Sequence, residues 1–189
     1  MTVSASASTQ NSGVIAPYGG TLVDLMVPAA EREAVKASAT TSLECSDRNA
    51  CDVELLVIGG FSPLRGFMHQ EDYDAVVAGH RTAAGQLFGL PIVMDTDRDD
   101  VAIGDRILLT YKGQDLAVLE VQDKWEPNKV VEAKGCYGTT SLEHPAVRMI
   151  SMERRRFYLG GSLQGLELPE RVFPCKTPAE VRAGLPAGE

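Results

Sequence analysis

The apolar residues of this chain change their period near residue 80, and that change limits the folds open to it. Up to Gly79 they recur at helical spacing, with Ala50, Val53, Leu56 and Val57 on one face and Tyr73, Val76 and Val77 on another. From Leu90 onward they come in short, β-branched runs: LPIVM at 90–94, RILLT at 106–110 and LAVLEVQ at 116–122. The first pattern predicts three helices. One is opened by Pro28 and runs to Ala39, one is capped by Asp47 and stopped by Gly59 and Gly60, and one covers Gln70 to Gly79. The second pattern predicts strands, with a turn at Gly104–Asp105, a hairpin loop over Lys112–Asp115, and further strand candidates in VRMIS (147–151) and RRFYLG (155–160). Helices early and strands late give an α+β fold, N-terminal helices followed by a mainly antiparallel β-sheet or small barrel, rather than a βαβ nucleotide fold.

A chain of 189 residues, 44% hydrophobic and 23% charged, has enough apolar surface for one core and too little length for two large domains. Residues 1–16, rich in Ser and Ala, read as a disordered tail, 17–169 as the domain, and 170–189, rich in Pro and Gly, as a linker with one short helix over TPAEVRAG. No apolar run approaches the ~20 residues that cross a bilayer, and the start is neither apolar nor basic, so a cytoplasmic chain without membrane contact is expected. The net charge of −8 opposes binding to nucleic acid.

The chemistry-bearing residues are sparse. Cys45, Cys51, Cys136 and Cys175 form no C-x-x-C pair and are expected to be buried or idle thiols. His69, His80 and His144 sit in turn-like contexts that suit capping or surface roles. Two glycine-rich stretches, GGFSPLRGF at 59–67 and LGGSLQG at 159–165, invite a phosphate-loop reading. Neither carries the Gly-Lys pair of a P-loop or the strand–turn–helix context of a dinucleotide site, so tight turns are expected. The run Arg154–Arg155–Arg156 reads as a solvated or interface-facing patch, and Trp125 as a packed aromatic closing one end of the sheet. No catalytic, cofactor-binding or metal-ligating residue is assigned.

Taken together, these segments resemble the N-terminal, PUA-like domain of the sulfate adenylyltransferase (ATP sulfurylase) family from about Tyr18 to Arg182. The resemblance rests on GGFSPLRGFM at 59–68 with Asp72–Tyr73 after it, then LPIVMD at 90–95, GDRILL at 104–109 and LAVLEVQDKWEPNK at 116–129. EHPAV at 143–147, YLGGSLQGLELP at 158–169 and KTPAEVR at 176–182 complete the order. It implies a complete enzyme that joins sulfate to the α-phosphate of ATP with Mg²⁺, releasing pyrophosphate. The family's catalytic motifs, Gln-x-Arg-Asn-Pro, His-x-x-His and Gly-Arg-Asp, belong to a second domain, and none is found here: Arg48–Asn49 is followed by Ala50, and Gly104–Asp105–Arg106 has the wrong order. The resemblance therefore implies a structural, non-catalytic chain that needs no cofactor itself. Its expected partners are the catalytic domain of the same enzyme and a second copy in a homo-oligomer. An RNA-binding module, which the PUA-like fold forms elsewhere, is the alternative. The linker side is expected to expose an apolar patch drawn from Phe61, Leu64, Phe67, Val172, Phe173 and Leu185.

Overall fold

The computed structural model describes residues 14–186, so most of the tail expected at 1–16 lies outside the described residues. A single 3₁₀ turn at Ala29–Glu31 leads into helix α1 (Arg32–Ala37), with Pro28 preceding the turn rather than lying within it. Strand β1 (Thr41–Glu44) follows, then α2 (Asp47–Val57), β2 (Gly66–Phe67) and α3 (Gln70–Gly79). Strands β3 (Met94–Thr96), β4 (Arg106–Tyr111) and β5 (Gln114–Trp125) come next, followed by helices α4 (Lys129–Tyr137) and α5 (Pro145–Met152), strand β6 (Phe157–Gly165) and helix α6 (Pro178–Ala183).

The six strands form one sheet in the order β1–β4–β5–β6–β2, and β3 also pairs with β6. Every pairing is antiparallel except β1 with β4. The result is an open sheet rather than a closed barrel. β6 is its hub: one edge runs along β5 from Trp125↔Tyr158 to Ala117↔Gly165, while β3 and β2 share the other edge end to end. Alternation on β4 and β5 buries Ile107, Leu109, Leu119 and Val121, and helices α2 and α3 add Val53, Leu56, Val57, Tyr73, Val76 and Val77 to the same core. Each such aliphatic side chain contributes about 1.5–3 kcal/mol when fully buried.

Four expectations are corrected by local chemistry. Ser46, not Asp47, caps α2, because its hydroxyl accepts from the Asn49 N–H and Asp47 then lies in the first turn, where its charge suits the helix dipole. VRMIS is helical rather than extended: Pro145 opens α5 at its first position, and Val147 and Ile150, three apart, both face inward. The hairpin between β4 and β5 turns on Lys112 and Gly113 alone, both at positive φ (49° and 82°), so β5 begins at Gln114. The ladder of β3 starts only at Met94; Ile92 and Val93 are buried before it, with the Ile92 carbonyl held by the Met68 N–H at 2.8 Å.

Candidate functional site

A buried polar cluster joins α3, α4 and β6 at the centre of the molecule. Inward spacing on α3 places Tyr73 in the core, and the same face of α4 carries Glu132, 3% exposed, into it. The hydroxyls of Tyr73 and Tyr158 both donate to Glu132 Oε2, at 3.0 and 2.9 Å. Their rings pack edge to face at 5.7 Å, with Trp125 against both. Burial raises the Glu132 pKa above the ordinary carboxylate range despite the two hydroxyl donors. Burial, reinforced by the neighbouring Glu132, also raises both tyrosines, so they remain proton donors within the core.

Next to this cluster, Arg154 lies over the Tyr158 ring at 5.5 Å and is not solvated: its side chain is 7% exposed. Its Nη1 donates to Asp95 Oδ1 at 3.1 Å, and the same oxygen accepts from Asn49 Nδ2, while Asp95 Oδ2 accepts from the Arg155 N–H. Arg156 is exposed and shared between Glu126 and Asp99. Two members of the arginine run are therefore committed to carboxylates, and the expected solvated or interface-facing patch is corrected: Arg154 is a core residue, brought to Asp95 by the short segment between α5 and β6, while β3 and β6 pair beside it. Asp52, half-buried on α2, is pushed up to about 6 by burial, with Arg154 pulling against the shift. Asp95, Glu132 and Asp52 were not singled out from sequence. The available signal was an acid ending an apolar run, as in LPIVMD and VVEAK.

The cysteines form no disulfide among the described residues, and Cys51 and Cys175 are exposed while Cys45 is buried. All four are free; burial pushes Cys45 up to about 12 and Cys136 up to about 11, where little thiolate forms at neutral pH. The histidines serve helix ends: His69 precedes α3, His80 adopts the left-handed turn that closes it, and His144 precedes α5 against Tyr137. Among the described residues no three His, Cys, Asp or Glu side chains gather as a metal site, and no helix is long and apolar enough to cross a membrane.

Of the two glycine stretches only the first holds the expected tight turn, at 59–63; Gly66–Phe67 is β2 and 159–165 lies within β6, where the glycines serve close strand pairing instead, and the two stretches meet each other. Gly66 pairs with Ser162 and Phe67 with Gly161 across β2 and β6. A Cβ on Gly66 would lie 2.0 Å from the Gly161 carbonyl oxygen, and one on Gly161 would lie 2.0 Å from that of Glu120. Ser62 ties the turn to the N-terminal segment, donating to the Gly59 carbonyl at 2.7 Å and accepting from the Val23 N–H at 3.0 Å. Phe67 is 2% exposed and belongs to the core, while Phe61 and Leu64 are half-buried against it, so these three do not form the expected outward patch. Val172, Phe173 and Leu185 are exposed as expected, together with Val181 on α6. Arg171 anchors this stretch to Glu54, and Arg182 reaches the Ile15 carbonyl. Between α6, Leu168, Ile58 and residues 14–26 lies a cavity of about 640 Å³.

Residues 15–168 match the family described as PUA-like domain. The chain is 39% identical over 179 residues to the sulfate adenylyltransferase of Phaeosphaeria nodorum and 41% identical over 180 residues to that of Chaetomium globosum. In both cases 88% of this chain aligns with 31% of the relative. A probable bifunctional SAT/APS kinase 2 of Sorangium cellulosum is 38% identical over 180 residues, covering 90% of this chain and 31% of the relative. Among solved structures, the hexameric APS kinase from Thiobacillus denitrificans superposes with a TM-score of 0.68 at 29% identity, over 90% of this chain and 31% of that one. The chain thus spans about a third of the length of the curated relatives it matches.

Proposed function

This chain belongs to the PUA-like domain family, and from that premise we propose that it serves as the non-catalytic domain of a sulfate adenylyltransferase. The observation that carries the reading is the unequal coverage: nearly all of this chain aligns, but with only 31% of relatives named for that activity. Sequence motifs support it, since the family's Gln-x-Arg-Asn-Pro and His-x-x-His segments have no counterpart here. The reaction of the complete enzyme would be attack of a sulfate oxygen on the α-phosphorus of ATP, with pyrophosphate leaving. Its developing charge needs fixed cationic donors and a divalent metal. The described residues do not fit that metal, so no step is assigned to it on this chain.

The domain's role is then to support a catalytic neighbour. The exposed Val172, Phe173, Val181 and Leu185 give the C-terminal side an apolar surface suited to such a contact, and the solved relative is a hexameric APS kinase, so homo-oligomers fall within the same reading. The committed arginines leave little basic surface for RNA, whose recognition rests on such surface and on exposed aromatics. The test is direct: the chain is incubated with ATP, Mg²⁺ and sulfate, and adenosine 5′-phosphosulfate is assayed. No product above blank is expected, whereas joining the chain to the remaining two-thirds of the Chaetomium globosum relative should give product. Turnover by the chain alone overturns the proposal.

A further inference from the structure

Where the two glycine stretches meet, their backbones form the floor of a small recess of about 160 Å³ on the outer side of the sheet. Four side chains able to donate a hydrogen bond line it: Arg65 and His69 from the segment around β2, Gln122 from β5 and Ser162 from β6. None of the four makes a side-chain hydrogen bond within the described residues, whereas the two nearest carboxylates are committed to backbone N–H groups. Asp123, next to Gln122, accepts from the Gln70 N–H at 2.8 Å. Asp72 is the one carboxylate in the lining, and its Oδ1 accepts from the Ala83 N–H at 2.9 Å.

The backbone aims these donors. β5 shifts register between Val121 and Asp123, so Gln122 has no partner on β6 and its side chain is carried out of the regular alternation into the recess. Gly66 and Gly161 let β2, β6 and β5 close on one another beneath the recess, since a Cβ on either would lie 2.0 Å from a neighbouring carbonyl oxygen. The volume equals about five waters at ~30 Å³ each, which suits one tetrahedral group and falls short of the ~300 Å³ at which nucleotide-sized pockets begin.

We propose that this recess binds one small inorganic oxyanion, with the Arg65 guanidinium as the principal donor and His69, Gln122 and Ser162 completing the set. Charge-assisted donors from Arg suit a tetrahedral oxyanion through paired N–H groups. The site is independent of the functional reading above, because it lies on the sheet's outer face and uses no residue of the C-terminal apolar surface.

The experiment is an NMR titration of the full chain with inorganic phosphate at constant ionic strength, following the backbone amides of Gln122 and Ser162 and the Arg65 Nε–H. Saturable shifts confined to the recess at millimolar phosphate are expected, weakened about tenfold in Arg65→Met and in a separate Gln122→Ala variant. Arg155→Met, outside the recess, should titrate as the parent does. Shifts that fail to saturate, that spread over the surface, or that persist unchanged in both recess variants overturn the proposal. So does acetate binding as tightly as phosphate, since that would mark a general carboxylate contact.

Discussion

The centre of this domain and its C-terminal stretch treat their side chains in opposite ways. Around β6, polar groups are drawn inward and satisfied there: Glu132 by two tyrosines, Asp95 by Asn49, Arg154 and the Arg155 N–H. After Leu168 the apolar groups point outward instead, with Val172 and Phe173 fully or largely exposed although a well-capped helix follows them. The pairing is extensive but incomplete, since Arg154 Nε and Trp125 Nε1 are buried without a partner among the described residues, so the pairs that are made carry the centre's stability. The C-terminal stretch is locally ordered by its capping box at Thr177 and Glu180 and by the Arg171–Glu54 contact, yet its apolar surface lacks a cover among the described residues. The contrast teaches where each kind of side chain can act: the first region holds the buried pairs on which stability rests, and the second exposes the apolar area that the proposed function assigns to association.

The sharpest way to break this contrast is to unbalance the centre. Arg154→Met leaves Asp95 with a buried charge and one cation fewer, and loss of one partner from a buried pair costs about 3–5 kcal/mol. The urea midpoint of unfolding reads that loss directly; a change under 1 kcal/mol would place Arg154 on the surface after all. Glu132→Ala should cost about 2–4 kcal/mol by orphaning two buried hydroxyls, whereas Glu132→Gln keeps an acceptor oxygen, removes a charge that burial disfavours, and should fall within about 1 kcal/mol of the parent. Equal losses in the two variants would show that packing volume matters at this position rather than hydrogen bonding.

Asp52 sharpens the same comparison through pH. Its folded pKa of about 6 lies above the ordinary 3.8, so the folded state holds its proton more tightly than the unfolded chain does. The stability it contributes is therefore fully present below about pH 4 and lost as pH rises through about 6, on the order of 1–2 kcal/mol for a half-buried group. Glu132 shifts in the same direction, so the informative quantity is the difference from Asp52→Asn. That variant should melt as the parent does near pH 4 and higher than the parent near pH 7.5. An unchanged gap across that range would mean Asp52 is as well solvated when folded as when unfolded.

Much of this was legible in the sequence because it is local. Helical spacing marked α2 and α3, and β-branched runs marked β4 and β5, since burial of one face imposes those periods. Strand β1 escaped because four residues with a single buried leucine carry no period, and its pairing with β4 reaches across more than sixty positions. Helix α4 was missed because Gly135 interrupts a helical reading, although it fits where the helix passes close to α3: a Cβ there would meet the Val77 carbonyl oxygen at 2.2 Å. The Arg run was misread for a related reason. Which of three consecutive arginines turns inward depends on Asp95, some sixty residues earlier, and nothing local to the run records that. Of the glycine stretches, 59–64 is the tight turn its composition suggests, but 159–165 is the end of strand β6, because pairing with β5 and β2 rather than local turn chemistry decides its backbone; that the two stretches touch is likewise tertiary information.

The smallest expected effect tests the other half of the contrast. If Phe173 and Leu185 serve association rather than the core, replacing both with serine removes apolar area that is already in water, 58% and 45% exposed. Surface changes of this kind usually stay within about 0.5 kcal/mol, far below the losses expected at Arg154 or Glu132. The double variant Phe173→Ser, Leu185→Ser should therefore keep the parent's unfolding midpoint while sedimenting as a smaller species at concentrations where the parent self-associates. A drop of 2 kcal/mol or more would attach these residues to the domain's own core through the cavity beside α6. In that case residues 170–186 would belong with the buried centre, and the boundary expected at Pro169 would move toward the C-terminus.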